Sequence, residues 1–76
     1  MQTVAQLNAA LAANHYTGFV VETARFVDTK SNGWELYAVK FLKKYSRLAE
    51  ARLFYDGANK IAWPVAKANC RALASL

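Results

Sequence analysis

The feature that most constrains this chain is its lack of cross-linking residues, because 76 residues contain one cysteine, Cys70, and one histidine, His15. A single cysteine forms no internal disulfide, and a structural zinc site needs about four Cys or His ligands. The fold must therefore be stabilised by packing alone. This composition predicts a protein of the reducing cytoplasm with no metal site and no cofactor.

Apolar side chains are abundant enough to form a core. Hydrophobic residues make up 55% of the chain and aromatic residues 13%, which excludes intrinsic disorder. The length predicts one domain, residues 1–76. Polar residues interrupt every long apolar stretch, so neither a membrane span nor a secretory signal is expected.

Catalytic chemistry is not expected from this composition. Cys70 lies in an Ala-rich segment, where a buried and inert thiol is the common case. His15 follows a helical pattern and is expected at a helix C-terminus or on the surface. The glycine-rich nucleotide-binding motifs and the zinc-protease motif are missing from the sequence. We therefore predict a protein that is not an enzyme and has no catalytic residue.

The N-terminal segment has the pattern of a capped helix. Thr3 and Gln6 have the spacing of a capping box, in which each side chain binds the backbone N–H of the other residue. Apolar residues then recur at helical spacing. We predict a helix over Val4–Ala13, ended by Asn14 in the left-handed conformation.

Two strands and a hairpin are predicted next. β-forming residues predict a strand over residues 17–28, with a bulge near residues 22–23 where the alternation fails. Asn32-Gly33 is a strong hairpin signal, and residues 34–42 form the return strand.

The C-terminal half allows two interpretations of residues 47–56. A period of two favours a strand, whereas Ser46 followed by good helix formers would favour a helix, and we prefer the strand. Residues 60–63 add a short extended stretch, and Pro64 suits the first turn of a helix over residues 64–75. The resulting prediction is a two-layer α+β fold, αβββα, in which both helices cover one face of a three-stranded antiparallel sheet.

A net charge of +5 favours an anionic partner. Two groups of cations are candidates for a basic patch, and the alternative for both is an ordinary solvated surface. The patch comprises Lys40, Lys43, Lys44, Arg47, Lys60, Lys67 and Arg71. Aromatic residues interleave with the first four of these cations, as in segments that contact phosphates and stack on bases.

The sheet face left uncovered by the helices is the candidate for a partner interface. Both faces of every predicted strand carry apolar residues, and an exposed apolar patch usually marks an interface. We expect its anchors to be Tyr37, Phe41 and Phe54. A homodimer through this face is one expectation, and a protein or nucleic-acid partner is another. The alternative is that a fourth strand or the chain termini cover the face.

The αβββα order resembles that of a double-stranded-RNA-binding domain, and residues 66–76 are similar to the Ala/Leu-rich last helix of that family. The lysine run that opens that helix in the family is replaced by residues 62–65, which read AWPV. The resemblance therefore implies an RNA-binding role only for Lys60 and Lys67.

A short α+β chain with few motifs is also similar in type to the small inhibitors that phages encode, anti-CRISPR proteins among them. This resemblance implies a protein that docks on a larger protein or ribonucleoprotein assembly and blocks or modulates it, in the cytoplasm of the host. The alternative is a direct nucleic-acid-binding module that uses residues 40–47 and the last helix.

Overall fold

The structure is a computed structural model that describes residues 1–42 and 51–65. These residues form one helix and one four-stranded antiparallel sheet. The elements are α1 (Val4–Ala13), β1 (Val21–Thr29), β2 (Glu35–Phe41), β3 (Arg52–Asp56) and β4 (Ile61–Val65). The strands are neighbours in chain order, β1-β2-β3-β4. The α+β class is as predicted, but the αβββα fold with a three-stranded sheet and two helices is wrong.

Helix α1 begins where the capping box predicts. The Thr3 side chain accepts a hydrogen bond from the backbone N–H of Gln6 at 3.1 Å, and Gln6 Oε1 accepts one from the Thr3 N–H at 2.8 Å. The predicted bounds, Val4–Ala13, are confirmed. These two bonds satisfy N–H groups that a helix N-terminus leaves without partners.

The left-handed residue after α1 lies one position later than predicted. Asn14, the C-cap, has φ −100°, and His15 adopts the left-handed conformation with φ 68°. The Asn14 N–H still donates to the carbonyl of Ala10, and its Nδ2 donates to the carbonyl of Ala62 in β4 at 3.3 Å. The Asn14 side chain therefore also joins the end of α1 to the sheet.

The hairpin of β1 and β2 contains two irregularities. The pairing register shifts between Val21 and Thr23 and again between Phe26 and Asp28. The first shift confirms the predicted bulge, and the second was not predicted. In the turn, Gly33 has φ 90°, and Asn32 Oδ1 accepts a hydrogen bond from the Trp34 N–H at 3.0 Å.

Strand β1 begins at Val21, four residues later than predicted. The residues before it form a connection in which Phe19 N–H donates to the Tyr16 carbonyl. The Phe19 ring lies 5.8 Å from that of Tyr16 and 5.4 Å from that of Phe41. Phe19 thus packs over the end of the core, and residues 17–20 precede the regular strand β1.

The fourth strand replaces the predicted start of the last helix. Residues 52–56 form β3, as the strand interpretation of residues 47–56 requires, and residues 47–50 lie outside the described residues. Pro64 lies in β4, paired with Leu53, so the predicted helix start is wrong. The proline ring fixes φ near −65°, which suits an edge strand as well as a first helical turn. Strand β4 is at the edge of the described sheet. Residues 66–75 of the predicted helix lie outside the described residues.

Apolar residues pack on both faces of the sheet. The larger cluster joins α1 to one face and includes Leu7, Leu11, Tyr37, Phe41 and Leu53, all buried. The smaller cluster, on the other face, has Leu36, Phe54 and Val65 at its centre, with Trp34 and Trp63 packed against them.

Asn8 fixes α1 against the first strand. Its Oδ1 accepts a hydrogen bond from the Val21 N–H at 2.7 Å, and its Nδ2 donates to the Val21 carbonyl at 3.2 Å. Asn8 and Asn14 therefore attach the helix to β1 and to β4, the two outer strands of the described sheet.

Candidate binding surface

The three predicted interface anchors do not form one exposed surface. Tyr37 and Phe41 lie under α1 and are 1% and 2% exposed, and Phe54 lies on the opposite face and is 1% exposed. The register explains the separation, because β2 and β3 pair Tyr37 with Leu53 and Leu36 with Phe54. Residues directly opposite each other share a face. The grouping of these side chains as exposed anchors is therefore corrected, and all three belong to the cores.

Tyr37 connects the N-terminal residues to the sheet. Its hydroxyl accepts a hydrogen bond from the Gln2 N–H at 2.8 Å and donates one to Glu35 Oε1 at 2.7 Å. Burial, and then the hydrogen bond to Glu35, raise the pKa of Tyr37 to about 12. The hydroxyl thus has a structural role that favours its protonated form.

This raised pKa predicts a loss of stability in alkali. An unfolded tyrosine ionises near pH 10, whereas Tyr37 in the folded protein stays protonated to about pH 12. The free energy of unfolding should therefore fall between pH 10 and 12, by as much as about 1.4 kcal/mol per pH unit. Urea unfolding at pH 9 and pH 11 should show a smaller fall for Tyr37→Phe than for the wild-type protein. Equal falls in the two proteins would contradict the assignment.

An aromatic cluster occupies the face of the sheet opposite α1. The ring of Phe54 lies 5.8 Å from Trp34 and 5.9 Å from Trp63, and the two indoles are 4.7 Å apart in an edge-to-face arrangement. Both tryptophans are half-buried. Edge-to-face rings at these separations add to the stability gained from burial alone. The cluster therefore stabilises the β3–β4 side of this face.

The β1–β2 side of the same face is open. Thr23 is paired with Lys40 and Arg25 with Ala38, and Lys40 and Leu42 alternate with the buried Phe41, so they point away from α1. Thr23, Arg25, Lys40 and Leu42 are all exposed, with Leu42 39% exposed. We call these four residues the β1–β2 surface.

The cations of the β1–β2 surface are not neutralised. The described part of the chain gives neither Arg25 nor Lys40 an ion pair or a hydrogen-bonding partner for its side chain. By contrast, Lys30 Nζ forms an ion pair with Asp28 Oδ2 at 3.6 Å. Two unpaired cations on neighbouring strands can attract an anionic group without first breaking an internal ion pair.

The structure separates the two described members of the predicted basic patch. Lys40 lies near the C-terminal end of β2. Lys60 directly precedes β4 at the opposite end of the sheet, which is also where Glu35 at the start of β2 pairs with Tyr55. Both lysines are exposed. The other predicted members lie outside the described residues: Lys43, Lys44, Arg47, Lys67 and Arg71.

Arg25 and Leu42 were not predicted as binding residues. Arg25 alternates with Phe26, which could have placed it on the face away from the core. Its position beside Lys40 depends on the hairpin register, which the bulge between Phe26 and Asp28 sets for this part of β1. Leu42 was assigned to the strand as an ordinary apolar residue. Its N–H donates to the Val20 carbonyl at 3.1 Å, which extends the ladder and fixes Leu42 outward.

Comparison with known proteins gives no guide to this surface, because no protein-family model, curated protein or solved structure matches the chain. Within residues 1–42 and 51–65, no helix is long and apolar enough to cross a membrane. Residues 1–42 and 51–65 contain no group of three or more His, Cys, Asp or Glu residues that could hold a metal ion.

Proposed function

We propose that this chain is a non-catalytic binding protein that docks on a larger protein or ribonucleoprotein assembly and blocks or modulates it. The observation that carries the proposal is the β1–β2 surface, on which two cations that have no ion pair among the described residues lie beside exposed Thr23 and Leu42. Interfaces combine apolar contact with complementary charge, and arginine is enriched in them. The site of action is the cytoplasm, of the host if the protein is phage-encoded like the anti-CRISPR inhibitors that it resembles in type.

The attachment of β1 supports a role in recognition. Six of the nine β1 side chains are exposed. Val21, at the start of the strand, donates one hydrogen bond to Asn8 and accepts another from it. Phe26 packs edge-to-face on Tyr37 at 5.7 Å. The strand thus presents its outer side chains from a fixed backbone, and a preorganised surface loses little conformational entropy on binding.

The exposed apolar side chains favour a protein partner over a nucleic acid. Among the described residues, the exposed large hydrophobic side chains are those of Met1, Val27 and Leu42, all of them aliphatic. Single-stranded nucleic acids are held largely by stacking on aromatic rings. Aliphatic groups beside cations instead suit a protein surface that combines acidic and apolar residues.

The charge distribution keeps nucleic-acid binding as the second candidate. The described residues contain five Lys or Arg and four Asp or Glu, which leaves four of the five net positive charges to residues 43–50 and 66–76. Lys40 lies three residues before the start of the first of these segments. Phosphate binding through residues 40–47 would therefore also involve the β1–β2 surface, and salt dependence separates the two functions.

Affinity capture with charge variants tests the proposal. The tagged protein is incubated with a lysate of the source organism, with and without nuclease, and captured proteins are identified by mass spectrometry. We expect a partner that is retained after nuclease treatment. Arg25→Ala with Lys40→Ala should weaken its binding at least about tenfold, because both unpaired cations are lost from the interface.

The control removes positive charge elsewhere. Lys30→Gln lowers the net charge by one but leaves the β1–β2 surface intact, so the captured partner should bind within about twofold of the wild-type affinity. Loss of all binding after nuclease treatment would favour the nucleic-acid function. Equal binding by the double variant and by Lys30→Gln would show that the partner docks elsewhere.

A further inference from the structure

A groove runs between α1 and the turn that joins β3 to β4, away from the β1–β2 surface. It encloses about 450 Å³ and is lined by Gln2, Gln6, Ala9, Ala13, Tyr55 and Lys60, among others. This volume falls within the range of small-ligand sites, about 300–1,000 Å³. The groove is therefore large enough for a short segment of peptide.

The helix side of the groove is small and uncharged. Ala9 and Ala13 present only methyl groups there, and α1 contains no charged residue at all. Small side chains let the main chain of a ligand approach the helix closely, as they do where helices pack against each other. This wall suits an extended backbone better than a bulky side chain.

The groove contains hydrogen-bond donors that have no partner. Gln6 uses its Oε1 in the capping box, and its Nε2 has no partner among the described residues. The Tyr55 hydroxyl and the Lys60 ammonium group likewise form no hydrogen bond or ion pair within residues 1–42 and 51–65. No acidic residue is among those that line the groove. A lysine ammonium group together with hydroxyl and amide donors is suited to a carboxylate.

Lys60 occupies a backbone conformation that a lysine rarely adopts. Its φ is 56°, in the left-handed region where glycine or asparagine is favoured. The turn before it is held by Asp56, whose Oδ1 accepts from Ala58 N–H at 3.0 Å and whose Oδ2 accepts from Asn59 Nδ2 at 2.8 Å. Strained residues concentrate at functional sites. A lysine at this position is costly for the fold, which indicates a use for its side chain.

We propose that this groove binds the C-terminal carboxylate of an extended peptide. Lys60 and the Tyr55 hydroxyl bind the carboxylate, the Gln2 and Gln6 amides bind the preceding peptide groups, and Ala9 and Ala13 pack along the ligand backbone. The site does not depend on the β1–β2 surface, so either can fail without the other.

Amide chemical shifts of the full chain measure this binding directly. The probes are N-acetyl-Ala-Ala-Ala with a free C-terminal carboxylate, the same tripeptide as a C-terminal amide, and N-acetyl-glutamate amide, which carries only a side-chain carboxylate. The free acid should produce saturable shifts at Ala9, Ala13 and Lys60. The other two probes should bind at least about tenfold more weakly, because each lacks the chain-end carboxylate.

Lys60→Gly distinguishes a binding role from a structural one. Glycine relieves the left-handed strain, so the melting temperature should stay equal or rise, while binding of the free acid falls at least about tenfold. Lys60→Asn, which also tolerates this φ, repeats the test if the glycine variant is less stable. The control Lys30→Gln should bind like the wild-type protein.

Three results would each overturn the proposal. They are the absence of saturable shifts with the free-acid tripeptide, equal binding of the tripeptide amide or of N-acetyl-glutamate amide, and wild-type binding by a folded Lys60 variant.

Discussion

Phe54→Ala should lower the free energy of unfolding by about 3–5 kcal/mol, as expected for a buried phenylalanine truncated to alanine. Phe54 is 1% exposed and contacts both Trp34 and Trp63. Domains of this size are stabilised by only about 5–15 kcal/mol. The variant is therefore expected to lose a large fraction of its stability. Urea unfolding followed by near-ultraviolet circular dichroism measures the effect, because the two tryptophans lie beside the substituted ring.

Phe54→Leu is the matched control for this variant. It keeps most of the buried volume, so it should cost less than about half as much as the alanine substitution. If Phe54→Ala left both the urea midpoint and the tryptophan dichroism unchanged, the aromatic cluster would not be a core. Phe54 would then return as a candidate interface residue.

Leu11→Ala should cost about 2–4 kcal/mol, because it leaves a cavity between α1 and the sheet. Leu11 is fully buried, at 0% exposed, in the cluster that includes Leu53 and Phe41. Leu42→Ala is the control, since the same truncation at a side chain that is 39% exposed should cost less than about 1 kcal/mol. Equal urea midpoints for the two variants would contradict the packing of α1.

Local sequence signals predicted the elements whose structure depends on neighbouring residues. The capping box of Thr3 and Gln6 placed the start of α1 correctly. Broken alternation near residues 22–23 located the first bulge, and Asn32-Gly33 located the hairpin. Each of these signals acts within a few residues of the chain, so a single sequence contains all of the required information.

Pro64 shows why the fold class was only partly predictable. A proline is compatible with a first helical turn and with an edge strand, and its neighbours do not decide between them. The decision comes from pairing with β3, in which Trp63 lies opposite Phe54. Trp63 and Phe54 come into contact only when β3 and β4 pair. The apolar periodicity along either segment alone does not predict that pairing.

The candidate site depended on register even more strongly. The alternation of side chains along β2 places Leu36 and Tyr37 on opposite faces of the sheet. It does not show which β3 residue lies opposite each of them. The observed pairing of Leu36 with Phe54 moved Phe54 to the other face. Arg25 came to lie beside Lys40 for the same kind of reason, because the bulge between Phe26 and Asp28 shifts its pairing with β2. A one-residue change in register exchanges the two faces of a strand.

The two outer strands of the described sheet are poor templates for further strands. Bulges at two points of β1 interrupt the regular spacing of backbone groups that an incoming strand would need, and β4 has five residues, one of which, Pro64, has no N–H to donate. Natural sheets use both devices to prevent edge-to-edge aggregation. We therefore expect a chain protected in this way to resist edge-to-edge association even at high concentration in a crowded cell.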